Sequence, residues 1–187
     1  MSWAFAGKTV AITGAAGGIG QCLCRFFGAQ GATIAALDRN ESVHALADTL
    51  GKDNIEVLPA VADIEQADQV KAAFDGFGDV HLLINNAGVS RHPTLAATDP
   101  AGWAQDIAAN LNGAHACAHA VLPQMVERRS GCIVSVGSVN GLSALGDPAY
   151  SAAKSGIIAL TKAIAMEYGR YGIRANCVLP GTVRTPI

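Results

Sequence analysis

An α/β fold, a parallel sheet doubly wound with helices on both faces, follows from three observations on this sequence. Short runs rich in Val, Ile and Leu alternate with longer segments of helical periodicity. Strands that read as continuous Val/Ile/Leu runs suggest burial on both faces. No Pro/Gly/Ser linker, internal repeat or low-complexity tract divides the 187 residues, so residues 1–187 are read as one domain with length enough for a sizeable core. Right-handed crossovers then give the strand order 3-2-1-4-5-6.

The first strand, Thr9–Thr13, is too short for a helix and stops at a glycine cluster. From about Ile19 to Gln30 the pattern turns helical, with Leu23, Phe26 and Phe27 three or four apart. The second strand is Thr33–Asp38, followed by a helix over about Glu41–Leu50 and a third strand, Ile55–Val61. A helix over Gln66–Phe77 leads to the fourth strand, Val80–Asn85. One long helix is predicted over Ala101–Glu127, then strand five at Cys132–Val136, a helix over Ala149–Tyr168 and strand six at Ile173–Leu179.

Half of the residues are apolar and 15% are charged, which argues against disorder. The net charge of −2 supplies no field for nucleic acid or an anionic membrane. No apolar run reaches membrane-spanning length, and no basic segment leads into an apolar stretch at the N-terminus. The expectation is a cytoplasmic protein without nucleic-acid or membrane partners. The five cysteines are odd in number and scattered, and Cys22 and Cys24, two apart on a helix, do not face each other. Buried thiols acting as small hydrophobes fit better than disulfides or a metal.

Strand, glycine turn, helix is the context in which a turn becomes a phosphate site. A helix N-terminus offers unpaired N–H groups and partial positive charge, and glycines let the backbone come close to a pyrophosphate. Asp38 ends the second strand 18 residues past Gly20, near the spacing of a carboxylate that bonds an adenosine ribose. Asp63, after strand three, either accepts from an adenine amino group or caps the helix near Gln66. Asn85-Asn86-Ala87-Gly88 is either a plain tight turn or, beside a cofactor, a backbone lying flat along the adenosine. Asn110 interrupts an Ala-rich helix face, either as a local kink or as a polar group that lines the site and holds water. His115 and His119 stand at i and i+4, but with no Glu beside the first and no evident third ligand they are not read as a metal site.

The chemistry is read between Ser138 and Lys154. Ser138 follows strand five, Tyr150 opens a helix after Pro148, and Lys154 lies one turn on, on the same face. A free tyrosine ionises near ~10, too high for a base at neutral pH. A cation about 4 Å away is worth up to ~4 kcal/mol at an effective dielectric of 20, roughly three pKa units. That would bring Tyr150 into the range where a general acid–base works best.

These residues together resemble the short-chain dehydrogenases/reductases, in their shorter single-domain branch. The resemblance rests on T-G-A-A-G-G-I-G at Thr13–Gly20, Asp63, N-N-A-G at Asn85–Gly88, N-L-N-G at Asn110–Gly113, Ser138, Y-S-A-A-K at Tyr150–Lys154 and P-G-T-V-R-T-P at Pro180–Pro186. It implies a Rossmann-like NAD(P)-binding domain. Tyr150 would exchange a proton with the substrate oxygen, Ser138 would hydrogen-bond that oxygen, and Lys154 would hold the nicotinamide ribose. Asn110 would hold a water linking Lys154 to solvent. Gly14, Gly18, Ile19 and Gly20 would take the pyrophosphate, with Asp38, Asp63, Asn86 and Thr185 around the rest of the cofactor. Ala87, Gly88, Pro180 and Gly181 belong to the same cofactor-binding set.

The reading is an oxidoreductase that transfers a hydride between NAD and a secondary alcohol or ketone. NAD is expected over NADP because Asp38 would stand against a 2′-phosphate, although Arg39 next door could serve one. The alternatives are an NADP-dependent ketoreductase, for example of 3-oxoacyl type, or a nucleotide-sensing or scaffold protein without turnover. Ser90, Arg91 and His92, and Asn140 to Leu145, are candidate pocket residues, with Arg91 read as a solvated side chain or as a seat for an anionic group. The long Ala-rich helices suggest a homodimer or homotetramer. Chains of this family usually continue for several dozen residues past P-G-x-x-x-T, with a substrate lid and a seventh strand. Residues beyond Ile187 are accordingly expected, either mobile or cut away, with strand six an open edge.

Overall fold

The structure, a computed structural model, describes residues 4–91 and 93–185. His92 and Pro186, named above, lie outside them.

The elements run β1 (Thr9–Thr13), α1 (Gly18–Gly28), β2 (Thr33–Asp38), α2 (Ser42–Gly51), β3 (Val57–Val61), α3 (Ala67–Phe77) and β4 (Leu82–Asn85). There follow α4 (Pro100–Ile107), a π turn (Ala108–Asn112), α5 (Gly113–Arg128), β5 (Gly131–Val136), α6 (Asn140–Ser143), α7 (Pro148–Tyr168) and β6 (Ile173–Val178). All strand pairs are parallel, in the order β3-β2-β1-β4-β5-β6. The order reverses between β1 and β4, which opens a crevice at their carboxyl ends.

The sheet divides the core in two. Ala11, Leu83 and Ile133 point to one side, where Val70 and Phe74 of α3, Val121 and Met125 of α5 and Ile164 of α7 pack on them. Val10, Ile12, Leu82 and Ile84 point to the other, against Cys24 of α1 and Val43, Leu46 and Leu50 of α2. Fully buried side chains such as Ile12, Ile34, Leu83 and Ile133 contribute about 1.5–3 kcal/mol each. No helix among the described residues is long and apolar enough to cross a membrane.

Several boundaries depart from the sequence reading, each for a physical reason. β3 starts at Val57 and not Ile55, because Ile55 turns aside to pack on Gly28, whose missing Cβ leaves it room. β3 also carries Pro59, tolerated on an edge strand that needs fewer N–H donors. β4 starts at Leu82 because the Val80 N–H donates to the Gln124 side chain at 2.7 Å. β5 begins one residue earlier, at Gly131, and β6 ends at Val178. Burial on both faces holds for β1, β2 and β4, but β3 and β5 are largely half-buried, and in β6 Arg174, Asn176 and Val178 alternate as exposed residues.

The single helix expected over Ala101–Glu127 is instead α4, a π turn and α5. The Asn110 amide donates to the Asp106 carbonyl four residues back, a side chain competing with the backbone ladder, and the helix widens there. Of the cysteines read as buried, Cys24 and Cys117 are, with thiols pushed up to about 12 by burial, whereas Cys22 is exposed.

His81 supplies a pH-dependent clamp at the amino end of the sheet. Its Nδ1 accepts the Thr9 N–H at 3.2 Å, which requires a lone pair on that nitrogen. Burial, then the neighbouring Lys8 and Arg128, hold its pKa below 6.5, with Asp79 opposing. The unfolded chain therefore takes up this proton first as pH falls, and stability is lost from 6.5 down through the lowered folded value. Thermal melts between pH 7 and 4.5 should show a smaller acid loss in His81→Gln than in the parent. Equal losses would remove His81 from the account.

Candidate active site

At the switch point the turn after β1 is locked onto the turn after β4. Gly14 sits at φ +64°, and a Cβ there would lie 2.9 Å from the Ala87 Cα, so only glycine fits. The Thr13 hydroxyl oxygen accepts the N–H groups of Asn86 and Ala87, both at 3.0 Å. The Asn86 amide returns to the carbonyls of Thr13 (2.9 Å) and Gly14 (3.1 Å). Gly20 lies beneath this turn, with Gly14 O where its Cβ would be. Gly17 caps α1 with no side-chain acceptor, which leaves the first-turn N–H groups to an acceptor from outside the chain.

These groups border a cleft of about 360 Å³ lined by Gly14, Gly17, Gly18, Ile19, Asp38, Arg39, Asp63, Glu65, Asn86, Ala87, Gly88, Val89 and Thr185, among others. The cradle suits a pyrophosphate, with free N–H groups, a helix N-terminus and no side chain in the way. Both oxygens of Asp38 are held, one by the Ala16 N–H (2.9 Å) and one by the Asn40 N–H (3.0 Å). The carboxylate is thus fixed at the cleft wall and keeps lone pairs for hydroxyl donors. Asp63 Oδ1 accepts the Glu65 N–H at 3.0 Å and caps its own turn, while its residue also lines the cleft. Asp63 does not cap the helix as the second reading had it, because the N-cap of α3 is Gln66 with no side-chain bond to it.

Lys154 is the buried cation of the site, 3% exposed. Its Nζ donates to the Val136 carbonyl at the end of β5 (2.9 Å) and lies 5.4 Å from the centre of the Tyr150 ring. A Cβ on Gly88 would come within 3.1 Å of that nitrogen and 2.8 Å of Asn110 Oδ1, so the cleft turn, Asn110 and Lys154 meet at one glycine. Burial lowers the lysine's pKa from 10.5 to about 8, with Cys177 opposing. Asn110 spends its amide on the Val89 backbone, accepting from the N–H (3.0 Å) and donating to the carbonyl (2.6 Å). Ser138, also buried, accepts the Asn140 N–H at 3.1 Å. The helix that follows, α6, is pressed onto α7, with Ser155 Oγ donating to the Gly141 carbonyl at 2.7 Å.

The sequence-read residues therefore fall into two sets. Gly14, Gly18, Ile19, Asp38, Asp63, Asn86, Ala87, Gly88 and Thr185 line the cleft. Asn110 and Lys154 meet it at Gly88, the Tyr150 ring lies 5.4 Å from the Lys154 amine, and Ser138 follows the same strand, β5, whose Val136 carbonyl holds that amine. Gly20 supports the turn from below, Pro180 accepts the Val139 N–H (3.1 Å), and Gly181 is exposed; none of the three lines the cleft. Leu142 and Leu145, in the stretch read as pocket lining, are exposed apolar residues. Arg91 is neither a solvated side chain nor open to an anion, because it pairs with Glu65 and Asp106 at 3.3 and 3.2 Å. The roles of Thr13 and Glu65 were not read from the sequence. Thr13, between a strand and a glycine, carried a usable signal, whereas Glu65 carried none.

The short chain dehydrogenase family model matches residues 8–187. An oxidoreductase of the short chain dehydrogenase/reductase family from Burkholderia thailandensis superposes with TM-score 0.90 at 49% identity, over 96% of this chain and 70% of that one. A 3-oxoacyl-[acyl-carrier protein] reductase with bound NAD from Brucella melitensis gives 0.93 at 34% identity, over 97% and 73%. A gluconate 5-dehydrogenase from Burkholderia cenocepacia, in complex with NADP and tartrate, gives 0.92 at 35%, over 98% and 74%.

A buried ammonium is a cost that the folded state carries. Below about 8 Lys154 is charged in both states and pays desolvation in the folded one; between there and 10.5 the unfolded chain holds the proton and the folded one releases it. Lys154→Met should therefore melt higher than the parent near pH 7, and its advantage should shrink as pH rises from about 8 towards 10.5. Comparing the two proteins at each pH cancels the contribution of the thiols. A constant gap, or a lower melting temperature for the variant throughout, would show that the amine is not under this strain.

Proposed function

The chain belongs to the short chain dehydrogenase family, and we propose that it is a cytoplasmic, NAD-dependent oxidoreductase interconverting a secondary alcohol and a ketone. The observation that carries the reading is the position of Lys154, buried between the Val136 carbonyl, Gly88 of the cleft turn and the Tyr150 ring. That junction supports reading Tyr150 as the proton-handling group beside the cleft. The nicotinamide, when bound, supplies hydride exchange at the carbinol carbon. Gly14, Gly18 and Ile19 bind its pyrophosphate and Asp38 the adenosine ribose. Tyr150 takes the hydroxyl proton in oxidation and returns it in reduction, Ser138 holds the same oxygen, and Lys154 bonds the nicotinamide ribose. Asn110 anchors Val89 and hence the turn on which the cofactor lies.

NAD is favoured by the fixed Asp38 carboxylate, which a 2′-phosphate would have to approach. The competing reading, NADP, draws on Arg39, which lines the same cleft. Tyr150→Phe in the full protein should keep NADH affinity and lose turnover by about 10²–10⁴-fold over a panel of alcohols and ketones. Titration of the parent should give tighter binding of NADH than of NADPH. Near-normal turnover in the variant defeats the catalytic assignment, and equal or tighter NADPH binding defeats the cofactor assignment.

The outward face of α7 carries Ala152, Ala159 and Ala163, with Met166 85% exposed. A small-residue helix face with a bare methionine suits close helix packing, and we assign it to a two-fold contact in a homodimer or homotetramer. Light scattering should give a dimer or tetramer at micromolar concentration and a smaller species for Ala159→Glu. A monomeric parent would refute the assignment.

A further inference from the structure

We propose that Arg91 is a positioning residue, one guanidinium that ties the far wall of the cofactor cleft to the clamp around Lys154. The proposal rests on the cofactor reading above.

Arg91 reaches three elements. Its Nη2 donates to Glu65 Oε1 at 3.3 Å, in the loop after β3. Its Nη1 donates to Asp106 Oδ1 at 3.2 Å and to the Gln105 carbonyl at 3.3 Å, both on α4. Arg91 itself belongs to the loop after β4. The pairs are well shielded, with side-chain exposure of 25% for Arg91, 20% for Glu65 and 1% for Asp106. Shielding makes them stronger and more directional than a surface ion pair. A planar fork can serve two carboxylates at once, which a lysine ammonium does less well.

From this group a chain of contacts runs to the amine. The Asp106 carbonyl accepts from Asn110 Nδ2 at 2.9 Å, and the same amide grips Val89 through both backbone groups. Gly88 precedes Val89 and lies against Asn110 Oδ1 and Lys154 Nζ, with no room for a Cβ. Glu65 at the other end lines the cleft, as do Gly88 and Val89. Arg91 thereby sets the spacing between two walls that a dinucleotide must touch together. Its sequence neighbours gave no sign of this, since Glu65 and Asp106 lie 26 and 15 residues away.

The simpler account is that Arg91 only neutralises a buried carboxylate. Calorimetric titration with NADH and NADPH, beside thermal unfolding without cofactor, separates the two. Arg91→Met should melt lower and bind about tenfold more weakly, the scale of coupling between linked sites. Adding Asp106→Asn and Glu65→Gln removes the two carboxylates that faced the guanidinium, so the melting temperature should recover while the affinity stays weak. Arg91→Lys keeps the cation without the fork; it should melt near the parent and still bind several-fold more weakly. Affinity that returns together with the melting temperature, or parental affinity in Arg91→Lys, overturns the proposal. A parent that binds neither nucleotide overturns the cofactor reading first, and this proposal with it.

Discussion

The close approach of two backbone turns governs this molecule. Where β1 and β4 part, Gly14 meets Ala87 and Asn86 at a distance that no side chain could share, and the Thr13 hydroxyl holds both N–H groups of the opposing turn. The contact brings residues more than 70 positions apart into one rigid platform. Everything with chemical meaning is referred to it. The α1 N-terminus stands over one edge, the Asp38 carboxylate is pinned to the same loop through Ala16, and Lys154 abuts the other edge at Gly88. Loosening it would move the wall of the cleft relative to the amine.

The second organising feature is a local defect. A regular helix from Pro100 to Arg128 would leave the Asn110 amide without the reach it has towards Val89. The π turn gives it that reach, and π turns recur where a helix has to present a polar group. The widened turn lies against α7 next to Lys154, and Gly113 at its end lets Ile64 of the β3 loop come close. The widened ladder thus goes with a polar anchor on the turn after β4.

Much of this was legible in the residues. The strand positions, the glycine turn and the shared helix face of Tyr150 and Lys154 follow from period, spacing and turn chemistry set by neighbours within a few residues, and the strand order follows from the handedness of crossovers. What was not legible depends on distant partners. The kink at Asn110 is a local matter and one of its two readings, but its grip on Val89 and the fate of Arg91 depend on partners that no local pattern announces. The Coulomb argument for Tyr150 assumed an ammonium about 4 Å away in a medium of dielectric 20. The fold instead places Nζ 5.4 Å from the ring centre and desolvates the lysine enough to lower its own pKa, an effect of burial that helix spacing alone does not disclose. By contrast, β6 carries Arg174 and Asn176 at alternate positions, a period-two pattern present in its own residues, and those positions are exposed.

The parallel pairing of β1 with β4 also sets the order in which the chain can fold. β1, β2 and β3 are joined by short local crossovers and form half a sheet within the first 61 residues. The platform, however, waits for Asn86 and Ala87, and the amine for Lys154, so the cleft forms only when most of the chain has condensed. Pairings of such sequence separation pay loop-closure entropy before any contact repays it, and they slow folding accordingly. During synthesis the first half-sheet emerges with one flank of β1 unpaired, a surface that stays sticky until β4 arrives to close it.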